Sequence, residues 1–298
     1  MNKSLEYDTD EKIDSMIPKI TNWSKWGTDD QRGTLNYITQ KHKLHASQLI
    51  KSGKVISLSR ESIIKNSEEI NGKKIREYFM TKGDMYCVDF VGLQFHGFSI
   101  THIDSLCHIF ASREANYNGH KTSDIKDTGA NNLDILPLAE QGIVGRGVLL
   151  DIAYTKGDIL KPGTIIHLED LLEAEKKQKV KVNSGDILLI RNGRGRENND
   201  SISSGLHPDC IPWIHEKEVS LLGSDGPNDF FPAHFKRWTM PIHQICIPYM
   251  GLPLLDNADL DPVSKACQEE NRWEFFITIS PWKFKGTTGS PVNPLVIF

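Results

Sequence analysis

No stretch of this 298-residue chain approaches the roughly 18 consecutive apolar residues that a membrane span needs. Its first residues, MNKSLEYDTDEK, lack the apolar run of a secretory leader, so export is not expected. Cysteine is sparse: Cys87, Cys107, Cys210, Cys246 and Cys267 are scattered, odd in number and without a CxxC pair. That pattern supports neither a disulfide framework nor a cysteine zinc site, and reads as reduced core thiols in a cytoplasmic protein. Positive charge is not in excess either. A formal net charge of -4 leaves no basic face for phosphates, so no nucleic-acid partner is expected. The one basic stretch, Arg191 to Arg196, is interleaved with Asn and Gly and reads as a surface loop. No repeat or low-complexity linker divides the chain.

What is present is an ordinary globular composition, 38% hydrophobic and 25% charged. Short apolar or β-branched runs recur at Val55–Leu58, Tyr86–Val91, Gly147–Ile152, Asp186–Arg191, Val219–Gly223, Ile242–Pro248 and Trp273–Ile279. Each is bounded by Gly, Pro, Asn or Asp, the mark of a strand. Helices are expected from the Thr39 cap toward Gly53, with Leu44, Leu49 and Ile50 on one face, and over His167–Lys177, with Leu168, Leu171 and Leu172 as its stripe. Two more are expected near Ile211–Glu218, with Pro212 in its first turn, and after Asp261-Pro262, where Asp261 is read as the cap and Pro262 as the first helical position. Trp23 to Thr39 reads as irregular and pinned by its two indoles. Strands outnumber helices and do not alternate strictly with them. The expectation is a single mixed α/β domain spanning 1–298, with a predominantly β core, peripheral helices and an irregular N-terminal segment of about 1–53.

Of the 11 histidines, two are informative through spacing. In THIDSLCH (Thr101–His108), His102 and Asp104 are two apart and share a face of an extended strand. Asp104 and His108 are four apart and share a face if a helix begins near Asp104. A strand running into a helix would converge all three. Imidazole and carboxylate suit Zn²⁺ or Mn²⁺, and a further imidazole beside a metal-activated water can take its proton. The spacing is equally compatible with a helix-capping Asp104 and two packing histidines.

THIDSLCH, with Phe110 and Tyr117-Asn118-Gly119 after it, resembles the HxGTHxDxPxH motif of the cyclase family of metal-dependent hydrolases, the kynurenine formamidase and isatin hydrolase type. Thr101, His102, Asp104 and His108 match. Further blocks follow in the family's order: WGTDDQRGTLN (Trp26–Asn36), GVLLDI (Gly147–Ile152), GDILLIRNG (Gly185–Gly193), LLGSDGPND (Leu221–Asp229) and GSPVNP (Gly289–Pro294). The resemblance implies a swivelling β/β/α fold, a divalent metal held by His102 and Asp104, and His108 as acid/base. It also implies a downstream histidine and carboxylate, for which His243 and Asp256 are the candidates, Asp256 being shorter than the usual Glu. The alternative for His243 is a strand histidine packed in the core.

The family's first histidine is replaced by Phe98 and its glycine by Ile100. His96, two residues upstream, supplies the missing ligand if a bulge or loop intervenes; in regular backbone Phe98 fills the place and one metal is favoured over two. His207 and His215 line the pocket or pack. Asp225 holds a turn or hydrogen-bonds the site. Trp23, Trp26 and Phe95 form an aromatic wall or belong to the core. Gly289-Ser290-Pro291 has turn chemistry. The implied activity is hydrolysis of an amide, lactam or ester of a small substrate, with a metal-assisted cyclase or dehydratase, or a non-catalytic metal-binding protein, as alternatives. The resemblance also implies a homodimer or larger homo-oligomer.

Overall fold

The computed structural model describes residues 7–62, 68–70, 73–157, 160–193 and 202–298. Nine short strands form one mixed sheet, numbered here in chain order: β1 Val55–Ser57, β2 His102–Asp104, β3 Ile143–Asp151, β4 Ile187–Arg191, β5 Leu221–Ser224, β6 Leu254–Asp256, β7 Glu274–Ile279, β8 Gly289–Pro291 and β9 Leu295–Ile297. Their order across the sheet is β1-β9-β7-β3-β4-β5-β6-β2-β8. The centre, β3-β4-β5-β6, is parallel, and its neighbours on both sides run antiparallel. Every residue of β4 and β5 is buried, as expected of parallel strands covered on both faces. The expected mixed α/β fold with a predominantly β core and peripheral helices is what the chain adopts.

Six of the seven expected strands are present with shifted ends. The seventh is a correction: Ile242–Pro248 is helical, as Pro241–Ile245 continuing into Cys246–Met250. Its first turn is held by Asp229, whose carboxylate accepts the amides of Ile242 (2.7 Å) and His243 (3.2 Å). That cap lies far outside the local pattern, so an Ile-rich run read as a strand. A second correction concerns Asp104, where no helix begins. The amides of Ser105 and Cys107 are taken by Thr288 and Leu133 carbonyls, and the chain makes only a turn closed by His108 N to Ser105 O at 3.1 Å.

The expected irregular N-terminal segment contains a helix, Asp10–Ile20, capped by Thr9 and burying Ile13, Met16 and Ile20. The helix after Thr39 ends at Ser47, and Leu44 and Ile50 remain exposed. Leu168–Gln178 buries Leu171 but exposes Leu172. Arg191 is not in a surface loop: it ends β4, buried, donating to Asp151 and Asp261. Arg194 and Arg196 lie outside the described residues. The cysteines are free, but Cys87 is exposed and so is not a core thiol. It starts the second arm of a ribbon, Lys73–Lys82 with Cys87–Leu93, which exposes Phe79, Met80, Met85, Tyr86, Val88 and Phe90. No described helix is long and apolar enough to cross a membrane.

Candidate metal centre

Strand β2 sits between β6 and β8, and its alternation places His102 and Asp104 on one face. In the β6–β2 register Asp256 is directly opposite His102, so their side chains share that face. On the other flank Gly289 is opposite Asp104. A Cβ at Gly289 would lie 2.5 Å from the Ile103 carbonyl oxygen and 3.0 Å from the His96 ring, so only glycine leaves room there. The Gly-Ser-Pro block thus borders the centre directly.

Asp104 is the hub. Its Oδ1 faces His96 Nδ1 at 3.0 Å, His102 Nε2 at 3.6 Å and His108 Nε2 at 3.9 Å; its Oδ2 faces His243 Nε2 at 3.4 Å. His243 Nε2 is also 3.3 Å from Asp256 Oδ2. Asp104 has no exposed surface, and among the described residues neither of its oxygens has a donor in hydrogen-bonding geometry. His96 Nδ1 is likewise buried without a hydrogen-bond partner. Orphaned polar atoms of this kind cost about 1–3 kcal/mol each unless something satisfies them. Two three-residue sets suited to an ion share this carboxylate: His96, His102 and Asp104, and Asp104, His243 and Asp256.

Surrounding groups set which ring nitrogens face inward. His102 Nδ1 is 2.8 Å from the Ile100 carbonyl, to which it donates, leaving the Nε2 lone pair toward Asp104. His243 Nδ1 donates to Asp229 Oδ2 at 2.6 Å, turning Nε2 toward Asp104 and Asp256. His96 Nε2 lies 2.9 Å from Thr288 Oγ1. Asp256 Oδ1 accepts from Asn228 Nδ2 at 2.6 Å. Partners of this type fix the orientation of metal-binding side chains. Asp229, Asn228 and Thr288 were not singled out from sequence, although LLGSDGPND contains two of them; their roles depend on pairings that a block match does not display.

His96 reaches Asp104 because the ribbon ends at Leu93 and the chain bends through residues 96–100, with Gly97 at φ +137. A loop thus intervenes before His102, and the His96 ring lies beside Asp104. The His96 and His108 rings stack at 4.0 Å with 2° between planes. Phe95 packs beside His96 and His102, with centroids at 4.6 and 6.1 Å, and Phe110 is exposed just beyond His108.

Burial disfavours the Asp104 carboxylate, but His108, His243, His96 and His102 outweigh it and hold its pKa well below the usual range. Burial pushes the His108 imidazole down to about 4; Asp104 opposes that shift, and the neighbouring histidines add to it. His108 is thus neutral near pH 7. Burial also opposes charge on His243, but Asp256, Asp104 and Asp229 raise its pKa well above the usual value. The centre is built to hold positive charge.

Other candidates lie elsewhere. His207 is buried against Asp209 and Asp8, and His215 Nε2 contacts Asn22 Oδ1 at 3.2 Å. Asp225 Oδ1 accepts the Asn192 amide, a turn-holding contact. Trp26 packs edge-on against Tyr37, and Trp23 stacks on Tyr249.

The sequence profile described as "Putative cyclase" matches residues 36–228. No curated protein matches the chain significantly. Among solved structures, one described as a novel cyclase superposes with a TM-score of 0.85 at 28% identity, covering 95% of this chain and 99% of its own. Isatin hydrolase A from Ralstonia solanacearum gives 0.59 at 16%, covering 82% and 91%. Isatin hydrolase A from Labrenzia aggregata, bound to benzyl benzoate, gives 0.60 at 15%, covering 84% and 94%.

Proposed function

The chain belongs to the cyclase family, and we propose that it is a metal-dependent hydrolase cleaving an amide, lactam or ester bond of a small cyclic or aromatic substrate. The observation that carries this reading is Asp104: a fully buried carboxylate with both oxygens undonated, ringed by four imidazoles and close to a second carboxylate through His243. In this proposal His96, His102, Asp104, His243 and Asp256 hold the metal. Their nitrogen-and-oxygen donor set fits Zn²⁺ or Mn²⁺. A divalent ion here would supply Lewis acidity toward a carbonyl oxygen and lower the pKa of a water.

The protein's own groups do the rest. His108 is partly exposed (26%), neutral, and held beside the proposed ligands by its face-to-face stack on His96. It is placed to accept a proton from the attacking water and return it to the leaving group. Phe95, packed beside His96 and His102, and the exposed Phe110, two residues after His108, offer flat apolar surface to a ring-bearing substrate. The isatin hydrolases of the same fold support the choice of a cyclic or aromatic substrate.

The test is a metal-supplemented screen over formamides, lactams and aryl esters, with labelled solvent oxygen. Hydrolysis incorporates the label into product; a dehydration or cyclisation does not. His108→Ala is expected to keep its metal and lose turnover by about 100-fold or more. His102→Ala and Asp104→Asn are expected to lose metal by elemental analysis. Full activity in His108→Ala would sink the acid/base assignment, and full metal content in both other variants would sink the ligand assignment.

A further inference from the structure

Outside this centre, a second group of histidines and carboxylates gathers where the N-terminal segment meets the loop before Trp238. His207 has no exposed surface, and its Nε2 is buried without a hydrogen-bond partner. That nitrogen points to Asp8 Oδ1 at 3.5 Å, and His234 Nε2 approaches the same oxygen at 2.7 Å. The three donor atoms lie within 4.8 Å of one another.

We propose that Asp8, His207 and His234 form a second divalent-cation site, separate from the Asp104 centre. The buried, unpartnered Nε2 is the key observation, because an imidazole nitrogen shut away from water needs a partner and hydrogen bonding among the described residues provides none. Support for a ligand role comes from the ring's other side. His207 Nδ1 is 3.2 Å from Asp209 Oδ2, which His167 Nδ1 also meets at 2.8 Å. In the ion-free ring Nδ1 accepts the Asp209 amide at 3.2 Å; once Nε2 gives its lone pair to an ion, the Nδ1 proton would go to Asp209 Oδ2 at the same distance, the arrangement that orients metal-bound histidines. Phe230 and Phe235 pack around His207 at 6.2 and 6.0 Å, and Phe235 lies 4.1 Å from His234, giving the site a dry wall. Asp8 and His234 are each nearly half exposed, so the site has an entry.

Two imidazoles and one carboxylate favour Zn²⁺ or a similar borderline ion over Mg²⁺ or Ca²⁺, which prefer oxygen donors. Three protein ligands leave a tetrahedral position for water. The ion would cross-link the segment leading into helix Asp10–Ile20 to residues more than half the chain away. That helix already meets the same loop through Asp14, which accepts from Trp238 and pairs with Arg237. By joining these distant segments the ion would act as a clasp on the N-terminal segment.

The experiment uses the full chain, stripped with a chelator and retitrated with Zn²⁺ alone, reading stoichiometry by calorimetry and elemental analysis and Tm by thermal denaturation. His234→Ala, at an exposed position, and Asp8→Asn, at a partly exposed one, should each bind about one equivalent fewer than wild type and show a smaller Zn²⁺-dependent rise in Tm. His102→Ala should retain the Asp8-dependent equivalent, which separates this site from the Asp104 centre. Unchanged stoichiometry and an unchanged Zn²⁺-dependent Tm in both His234→Ala and Asp8→Asn would overturn the proposal.

Discussion

Asp229 lies outside the proposed ligand set but orients one of its members. One carboxylate accepts the amides of Ile242 and His243, starting their helix, and also receives the His243 Nδ1 proton at 2.6 Å. Asp229→Asn keeps the shape but presents a weaker acceptor, and in one amide orientation a donor faces the imidazole. Metal affinity should fall roughly 10–100-fold, the usual loss on disturbing such a partner. Calorimetric titration with Zn²⁺ checks this; wild-type affinity in the variant would mean that packing alone orients His243. At this scale the sequence was legible where geometry is local. The two-residue spacing of His102 and Asp104 dictates a common face on any strand. His96 was legible only as one of two alternatives, because the bend that delivers it depends on Gly97 and on contacts from Asn257, whose amide donates to the Gly97 carbonyl at 2.7 Å. Thr288 and Asn228 act through pairings of distant segments and left no local trace.

Elements were readable when their signals lay within them and misread when an outside group decided. Thr39 caps its helix as expected, whereas Asp261, the expected cap, is itself the first residue of the next helix, preceded by Leu260 without a side-chain cap and followed by Pro262 in the first turn. Helix Asp10–Ile20 carries apolar residues at 13, 16, 17 and 20, a helical spacing that Pro18 obscured. The helix at Pro241 was hidden because its cap comes from Asp229. Its far end explains part of the WGTDDQRGTLN block. Gly251 ends the helix at φ +65, and its carbonyl accepts the Thr34 amide at 2.8 Å. Gly33, at φ +57, lies so close that an added Cβ would sit 1.9 Å from that carbonyl oxygen. Gly33→Ala should therefore destabilise the fold by roughly 2–4 kcal/mol, combining left-handed strain with a backbone clash. Gly53→Ala is the control: φ is +73 but nothing lies within 4 Å, so only about 1 kcal/mol of strain is expected. Denaturant unfolding measures both, and equal losses would show that the approach of Gly33 to Gly251 is easily relieved.

For the molecule as a whole, the class of fold was legible from the mixture of strand and helix signals, but the strand order was not. β2 pairs with β6 and β8 across gaps that no local pattern encodes, and those pairings bring together the proposed ligands, drawn from residues 96 to 256. Metal binding to such a set is coupled to the fold of the entire chain. The charge balance gives that coupling a sign. Without an ion, protonated His243 neutralises part of the buried charge of Asp104, Asp229 and Asp256; its pKa is raised above the unfolded value, since those carboxylates outweigh burial. This contribution is complete below the unfolded pKa of about 6.5 and is lost as pH rises through the folded value. A metal needs the neutral imidazole and displaces that proton. Stabilisation by metal should consequently grow with pH, reaching about 2.7 kcal/mol where the free ion is 100 times Kd. Measured in the His234→Ala background, the Tm difference between Zn²⁺-loaded and chelated protein should widen from about pH 6 to about pH 8. Asp104→Asn should remove most of that difference at every pH. A gap that narrows with rising pH, or that survives in Asp104→Asn, would place the stabilising ion somewhere other than this cage.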